Sequence, residues 1–318
     1  LEIQVMKISI VVPTFCEAGN LRAHYLACMN EIEELRKRSS HCNEYEYLVI
    51  DNCSTDSTVD VALNLRESDP NIRIFVNDKN YGPIWSPFCG LLNAQGDAVL
   101  LIAADLQEPA NLLIPFVSAL EAGYEAAIGC KKNAEENKWM WHLRGSYYWV
   151  LRKIGLIKLP MRYSGFGLYS RKLIEAFRTI HITEPSLRIL LPICSSKIKA
   201  IPYEHQARLH GATSYSFYDY IREAIKTIVR NSNRFPAYAG KLSLFLALFS
   251  FISIPLAIAI KILAWNSMAP GIATLIVLML INSSVILGFL ALIMDRQNQM
   301  LSRLEPASMH VHQSIKYE

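Results

Sequence analysis

The stretch AVLLIAADLQEP, residues 98–109, runs through five apolar residues and two alanines before it reaches a single carboxylate, Asp105. A short apolar run that ends at a polar turn is typical of a strand buried in a parallel sheet. Such a strand would deliver one charge to the edge of the sheet, where the ligands of open α/β sheets bind. The stretch therefore predicts both a class of fold and a site residue.

Further apolar runs flank this one, and helical stretches separate them. The runs cover four ranges: residues 8–12, 47–50, 72–76 and 126–129. A helical stretch covers residues 20–38, and Ser54, Thr55 and Asp56 are suitable N-cap residues for a second helix over residues 59–66. This alternation of strands and helices predicts an α/β fold with a mainly parallel sheet and helices on both faces.

Candidate site residues follow three of these strands: Pro13, Thr14, Glu17, Asp51, Asp105 and Gln107. The sequence contains neither the G-x-G-x-x-G of dinucleotide-binding folds nor the G-x-x-x-x-G-K-[ST] of the P-loop, which disfavours both classes. An acidic edge without a glycine cradle needs another way to neutralise phosphates. Because Mg²⁺ requires only one or two protein oxygens when substrate phosphates supply the rest, a divalent cation fits this edge.

The C-terminal part of the chain is much more apolar than the rest. Hydrophobic residues make up 52% of the 318 residues, and residues 242–260 and 271–294 are two uncharged runs of about the length that crosses a bilayer. Basic residues precede the first run and follow the second: Arg222, Lys226, Arg230, Arg234, Lys241, Arg296 and Arg303. The positive-inside rule therefore predicts two transmembrane helices with both flanks in the cytoplasm. A helical hairpin buried in a soluble core is the alternative.

These features divide the chain into four segments: residues 1–215, a cytoplasmic globular domain; 216–240, an amphipathic helical region; 241–295, the two transmembrane helices; and 296–318, a cytoplasmic tail. The amphipathic region suits a helix on an anionic membrane surface, a helix packed on the domain, or both. The net charge of +4 gives no argument for a nucleic-acid partner, and seven scattered cysteines without a C-x-x-C pair indicate reduced thiols.

Five motifs occur in an order that resembles the inverting family 2 glycosyltransferases: ISIVVPTFCEAGNL, YLVIDNCSTDST, NDKNYG, NAQGDAVLLIAADLQEP and RLHGATSY. The resemblance covers about residues 6 to 235. It is strongest to the polyprenyl-phosphate branch, which includes dolichyl-phosphate mannose synthase and the bacterial bactoprenol glucosyltransferases, and two C-terminal spans fit the bacterial members. The resemblance implies a GT-A fold and a nucleotide-sugar donor.

The resemblance also implies roles for residues that would bind the donor. Pro13 and Glu17 would contact the nucleoside, and Asp51 would accept a hydrogen bond from the imide of the base. Arg208, in the R-x-x-G turn, would approach the donor phosphates. Each role has a structural alternative, since Glu17 could cap a helix and Asp51 could serve only as a turn residue.

By the same resemblance, Asp105 and Gln107 would hold Mg²⁺ or Mn²⁺ against the diphosphate, which makes Asp105 the candidate catalytic residue. Lys131 and Arg144 stand where the family binds the acceptor phosphate, a task that suits the guanidinium fork of arginine. Arg144 lies in an aromatic and basic stretch, so that stretch could instead pack on the membrane surface.

The chain departs from the family pattern at several positions. Cys16 replaces the usual asparagine, Asn52 the second acid of Asp-Asp, and Ala103 the first acid of Asp-x-Asp. Gly165-Phe166-Gly167 replaces an Asp-Phe-Arg segment, and Thr213-Ser214-Tyr215 replaces Ser-Lys-Tyr. These losses do not exclude catalysis, because a phosphate acceptor with a second pKa near 6 is already ionised at neutral pH and needs no protein base.

The leading hypothesis is therefore a hexosyltransferase that moves a sugar, glucose in the first instance, from a UDP-sugar to polyprenyl (undecaprenyl) phosphate. A GDP-sugar is the second candidate donor. The enzyme would be a multi-pass protein of the bacterial inner membrane with its catalytic domain in the cytoplasm, and the family is consistent with a homo-oligomer. Two alternatives stay open: a transferase that uses a glycan or diacylglycerol acceptor, and a regulatory homologue that binds a nucleotide-sugar with weak or no transfer.

Overall fold

The computed structural model describes residues 6–38, 44–132, 163–180, 185–204, 235–263, 271–303 and 315–317. The chain forms two compact units. The first contains the strands together with the helices up to residue 194, and the second contains two long C-terminal helices.

The described strands form one sheet: β1 (Lys7–Thr14), β2 (Glu44–Asp51), β3 (Ile72–Val76), β4 (Ala98–Leu101), β5 (Ala126–Lys131), β6 (Tyr163–Ser170), β7 (Ile198–Tyr203) and β8 (Ile315–Tyr317). Their order across the sheet is β7-β5-β6-β4-β1-β2-β3-β8. β6 and β8 run antiparallel to their neighbours, and the other six strands share one direction. The expected mainly parallel, GT-A-like sheet is confirmed.

The helices of the first unit connect these strands: α1 (Ala18–Arg38), α2 (Thr58–Ser68), α3 (Gly82–Asn93), α4 (Leu113–Glu121), α5 (Arg171–Thr179) and α6 (Leu187–Cys194). On one face of the sheet, Ile10 and Val12 lie in a core with apolar residues of α1, α2 and α4. On the other face, α3 approaches so closely that a Cβ on Gly90 would lie 2.5 Å from Val11 Cγ1. Helices therefore cover both faces, as the pattern of strands and helices predicted.

The expected elements agree with the structure except near the start of α2. Each of the first five strands overlaps its predicted apolar run, and α1 contains the predicted helical stretch. The N-cap role expected of Ser54 is wrong, because its hydroxyl donates to the Asp51 carboxylate instead. Asp56 accepts hydrogen bonds from the backbone N–H and the hydroxyl of Thr58, and so stabilises the first turn of α2.

The second unit consists of α7 (Phe235–Leu263) and α8 (Ile272–Arg303), which pack against each other. The hydroxyl of Ser243 donates to the carbonyl of Ser284 at 2.8 Å, and the Ser284 hydroxyl donates back to the Ser243 carbonyl at 2.9 Å. Within α8, Val277–Gln297 is long and apolar enough to cross a membrane, whereas the apolar segment of α7, Gly240–Pro255, is shorter. Of the two predicted spans, one therefore meets that length among the described residues.

Candidate active site

Three turns at one edge of the sheet hold non-glycine residues in the left-handed backbone region. Cys16 (φ 56°), Cys53 (φ 64°) and Leu106 (φ 60°) follow β1, β2 and β4, whose carboxyl ends meet at this edge. Such a conformation is uncommon outside glycine and persists only where the surrounding structure enforces it. Strained turns of this kind concentrate at functional sites, so this edge, called the site edge below, is the candidate active site.

Asp51 ends β2 at the site edge and is 1% exposed. Its Oδ1 accepts hydrogen bonds from the hydroxyls of Thr14 and Ser54, and its Oδ2 accepts one from the Ser54 N–H at 2.9 Å. Ser54 in turn accepts the N–H of Cys16 at 2.9 Å, which ties the turn after β1 to the turn after β2. A carboxylate offers about four acceptor sites, so three donors fix its orientation and leave capacity for one more.

A network of amide side chains stands beside Asp51, and sequence reasoning missed it. Asn52 Oδ1 accepts from Asn77 Nδ2 at 3.1 Å and from the Tyr81 N–H at 2.9 Å, while its Nδ2 donates to Asn80 Oδ1 at 2.8 Å. An aspartate at position 52 could accept the first two bonds but could not donate the third. The replacement of the family acid by Asn52 therefore matches the asparagines of the NDKNYG motif.

Pro13 and Glu17 occupy the end of β1 and the turn that leads into α1. Pro13 is half-buried and pairs in register with Ile50 of β2. The Glu17 N–H donates to the Thr58 hydroxyl at 2.9 Å, and Glu17 Oε2 accepts from Asn20 Nδ2 at 2.6 Å. Glu17 thus lies at the same edge as Asp51, with its carboxylate held by the first turn of α1.

Asp105 lies in the turn after β4 and is 7% exposed. The last ladder contact of β4 with β1 is the Ile102 N–H, which donates to the Val11 carbonyl at 3.1 Å. Beyond it, Asp105 Oδ1 accepts the Gln107 N–H at 3.2 Å, so the two residues share one tight turn. The half-buried side chain of Gln107 completes the pair of oxygen-bearing groups that the sequence predicted here.

The turn after β4 also contains Glu108, whose carboxylate interacts electrostatically with Asp105 and Lys131. The pKa of Glu108 is raised to about 7, with burial as the largest cause and a smaller raising contribution from the Asp105 charge, while hydrogen bonds from the Ala103 N–H and the Ser164 hydroxyl act in the lowering direction. The Lys131 ammonium acts in the lowering direction. Lys131 ends β5, which lies two strands from β4 and runs in the same direction, so Lys131 lies at the same edge of the sheet.

The donor chemistry of this turn fits a divalent cation in part. A carboxylate and an amide oxygen are the hard ligands that Mg²⁺ and Mn²⁺ prefer. Within the residues that the structure describes, no group of three or more His, Cys, Asp or Glu side chains could hold a metal ion. The Asp105 and Gln107 pair therefore fits a cation only if further ligands come from a bound phosphate or from water.

Gly165, which the resemblance aligns with an aspartate of the family, has a backbone conformation that disfavours a side chain. Its φ of 114° lies in the region that L side chains rarely adopt. The carbonyl of Gly165 also accepts the hydroxyl of the buried Tyr169, which fixes the start of β6. An aspartate at position 165 would therefore strain the backbone as it stands in this structure.

The site edge gathers six of the predicted residues: Pro13, Thr14, Glu17, Asp51, Asp105 and Gln107. Lys131, at the carboxyl end of β5, lies at the same edge. Arg144 and Arg208, predicted to bind the acceptor and donor phosphates, lie outside the described residues. An acidic, hydrogen-bonded edge on a mainly parallel sheet, without a glycine-rich phosphate loop, agrees with the GT-A-like fold that the resemblance implies.

Comparison with known proteins leads to the same class. Residues 9–178 match glycosyl transferase family 2, so the chain belongs to that family and is a glycosyltransferase, as the motifs predicted. It is 25% identical over 292 residues to the uncharacterised glycosyltransferase YkcC of Bacillus subtilis, covering 90% of this chain and 86% of that protein. It is 26% identical over 252 residues to the bactoprenol glucosyl transferase of Shigella phage SfV, covering 78% of this chain and 79% of that protein.

Among solved structures, the chain is similar to glucosyl-3-phosphoglycerate synthase from Mycobacterium tuberculosis, with a TM-score of 0.49 and 19% identity. That likeness covers 71% of this chain and 80% of the other.

Proposed function

We propose that the protein transfers a hexose, glucose in the first instance, from a UDP-sugar to polyprenyl phosphate at the cytoplasmic face of the bacterial plasma membrane. The observation that carries the proposal is the Asp105–Gln107 turn at the site edge of a family 2 chain. The 26% identity to bactoprenol glucosyl transferases over about four fifths of both chains supports the lipid acceptor.

For the donor, we assign the nucleoside to the edge formed by the turns after β1 and β2. Pro13 and Glu17 would contact the nucleoside, and Asp51 would accept the imide N–H of uracil with the acceptor site that its three bonds leave. Because those bonds fix the carboxylate before the ligand arrives, little conformational entropy is lost on binding. Arg208 would approach the donor phosphates, as the resemblance implies.

Asp51→Asn tests the donor assignment. The amide keeps the size of the side chain but loses the charge, and an NH2 donor replaces one of the two acceptor oxygens. We therefore expect the Kd for UDP to rise about tenfold, or about 1.4 kcal/mol. Isothermal titration of the full chain in detergent would measure it. Asp60→Asn, at an exposed position on α2, should bind UDP like the wild type. Unchanged affinity in Asp51→Asn would refute the assignment.

For the metal, we assign Mg²⁺ or Mn²⁺ to Asp105 and Gln107, with the donor diphosphate completing the ligands. When bound, the cation would offset the charge that develops on the departing diphosphate. The protein's own contribution is to hold the carboxylate and the amide oxygen in one turn, where the Gln107 N–H fixes Oδ1 of Asp105.

For the chemistry, an ionised phosphate oxygen of the acceptor would form the bond to the anomeric carbon. The bond from that carbon to the UDP oxygen would break, and the UDP would depart with the electron pair. No proton has to be removed from a phosphate that is already a dianion, so glycine at position 165 is compatible with transfer. Lys131 and Arg144 would bind the acceptor phosphate and align it for in-line attack.

Gly165→Asp tests whether the family acid is dispensable here. The positive φ makes any side chain costly, so we expect the free energy of unfolding to fall by about 1–3 kcal/mol and the transfer rate not to exceed that of the wild type. Gly123→Asp is the matched control, because Gly123 also has a positive φ, 88°, and nothing within 4 Å of an added Cβ. A faster Gly165→Asp enzyme would show that a missing base limits the reaction.

For the membrane, we propose that α7 and α8 cross the bilayer as a hairpin. Most of the described apolar side chains on these helices are exposed, including Leu244, Phe251 and Phe289. Exposed apolar area of this extent is typical of a lipid-facing surface, and the reciprocal Ser243 and Ser284 bonds join the helices and pair both hydroxyls. Assembly into a homo-oligomer stays a prediction.

A transfer assay would test the proposal as a whole. The full chain in detergent is incubated with labelled UDP-glucose and undecaprenyl phosphate, with Mn²⁺ or with EDTA, and label is measured in the lipid fraction. We expect metal-dependent transfer to the lipid phosphate and none to diacylglycerol or to a soluble glycan. UDP-sugar binding without transfer to any lipid phosphate would instead favour a regulatory binding protein, which the absence of acids at Ala103 and Gly165 also fits.

A further inference from the structure

The carboxylate of Glu108 joins two segments that are far apart in the chain. Its Oε2 accepts the Ala103 N–H at 3.0 Å, and its Oε1 accepts the Ser164 hydroxyl at 2.9 Å. Ser164 lies 56 positions further along the chain, on β6. We call these three groups, the Ala103 N–H, the Glu108 carboxylate and the Ser164 hydroxyl, the Glu108 bracket.

The first bond of the Glu108 bracket closes the turn after β4 into a ring. Ala103 and Glu108 are the two ends of that turn, and Asp105 and Gln107 lie between them. Leu106, at the centre, has a φ of 60°. Because a non-glycine residue holds such a conformation only when its surroundings enforce it, a bond across the ends of the turn is a direct way to maintain it.

The second bond anchors the ring to a rigid strand. The pairing of β6 with β4 ends at Leu101 and Gly167, so the first residues of β6 continue past the end of β4 alongside the turn. Tyr163 and Phe166, on either side of Ser164, are fully buried, and the Tyr163 hydroxyl is hydrogen-bonded to that of Tyr169. Ser164 itself is exposed, so a fixed strand presents its hydroxyl to Glu108.

We propose that Glu108 and Ser164 are positioning residues, which hold Asp105 and Gln107 in the arrangement that binds the metal. This inference rests on the proposed function, because it concerns the same metal turn. A turn with two acids is organised partly by the cation that both acids ligate. This turn has alanine at position 103. The hydrogen bonds of the Glu108 bracket need no metal, so they fix the conformation of the turn before a metal binds.

The test compares Ser164→Ala with Ser164→Thr, which keeps the hydroxyl. Binding of Mn²⁺ to the full chain in detergent, with UDP present, is measured by titration calorimetry and by the Mn²⁺ electron paramagnetic resonance signal. We expect Ser164→Ala to weaken Mn²⁺ binding about tenfold and Ser164→Thr to restore most of it. In the transfer assay, Ser164→Ala should raise the Mn²⁺ concentration needed for half-maximal rate and leave the rate at saturating Mn²⁺ within about twofold of wild type.

A matched control and a second variant separate positioning from a general loss of structure. Ser118→Ala removes an exposed hydroxyl on α4, bonded to the Ile114 carbonyl at 3.1 Å, and should bind Mn²⁺ like the wild type. Glu108→Gln should weaken Mn²⁺ binding at least as much as Ser164→Ala, without changing UDP affinity in EDTA. Equal Mn²⁺ affinity in Ser164→Ala and wild type, with transfer intact, would overturn the bracket alone. A wild-type chain that binds no Mn²⁺ with UDP would overturn the bracket and the metal assignment together.

Discussion

Asp105→Ala is expected to lower the rate of sugar transfer by about 10²–10³-fold, equivalent to about 3–4 kcal/mol of transition-state stabilisation. Asp105 is the acid that the Asp-x-Asp position retains in this chain, since Ala103 has no ligand oxygen on its side chain. Its loss would leave Gln107 as the remaining proposed ligand of the turn. The initial rate of label transfer from UDP-glucose to undecaprenyl phosphate, at several Mn²⁺ concentrations, would measure the effect.

Asp97→Asn is the matched control for this prediction. Asp97 stands next to the opposite end of β4, is exposed, and accepts the backbone N–H of Lys7 at 2.8 Å. Removing its charge changes the same strand away from the site edge, so the transfer rate should stay within about twofold of wild type. Transfer that is equally fast in Asp105→Ala and wild type would show that Asp105 does not hold the metal.

The parallel half of the sheet could be predicted from the sequence because its strands are continuous apolar runs. Residues 98–102 and 8–12 are each a run of five mostly apolar residues, which is long enough for a buried strand but too short for a typical helix. In the structure, both runs contribute to neighbouring strands, β4 and β1. The position of Asp105 followed directly, since a polar residue at the end of such a run must lie at the carboxyl edge.

The insertion of β6 between β4 and β5 could not be predicted in the same way. Its sequence, YSGFGLYS, contains two glycines and two serines, and no apolar period marks it as a central strand. Gly167 fits because a Cβ there would lie 2.5 Å from the Ala127 carbonyl oxygen, so close packing, not β propensity, determines the residue. Contacts between distant segments, such as Ser164 with Glu108, arise only from this pairing.

The side chains that orient the predicted site were also beyond sequence reasoning. The STDST stretch after β2 has the composition of a helix start, so the sequence predicts N-cap residues there. In the structure, the Ser54 hydroxyl donates to the Asp51 carboxylate, and the Thr58 hydroxyl accepts the Glu17 N–H. The same short polar residues can bond a helix terminus or a carboxylate, and the choice depends on the backbone of the turn, where Cys53 has a positive φ.

A second large effect is expected on stability, from the buried His24 of α1. His24 is 1% exposed, and a ring nitrogen is hydrogen-bonded to the Tyr47 hydroxyl at 2.7 Å, with Cys28 Sγ at 3.8 Å. Burial lowers the pKa of His24 from 6.5 to about 4, and the Asp105 carboxylate raises it by a smaller amount. The folded protein therefore keeps this imidazole neutral at pH values where the unfolded chain would protonate it.

The direction of the pH dependence follows from that difference. Between about pH 4 and 6.5 the unfolded chain binds more protons at this residue than the folded one, so the free energy of unfolding rises with pH. The contribution of His24 is complete above pH 6.5 and is lost as the pH falls towards 4, by about 3 kcal/mol in total. Below pH 4 the residue is protonated in both states and adds no further dependence.

His24→Gln isolates this contribution, because glutamine is neutral throughout the range and keeps both a donor and an acceptor for Tyr47. Hydrogen exchange of the β1 and β2 amides in the full chain, measured in detergent between pH 4 and 7, would report the free energy of opening. As the pH falls from 7 to 4, we expect the free energy of opening of the wild type to fall by about 3 kcal/mol more than that of His24→Gln. Parallel pH profiles for the two proteins would contradict the prediction, because they would mean that His24 has the same pKa in the folded and the unfolded chain.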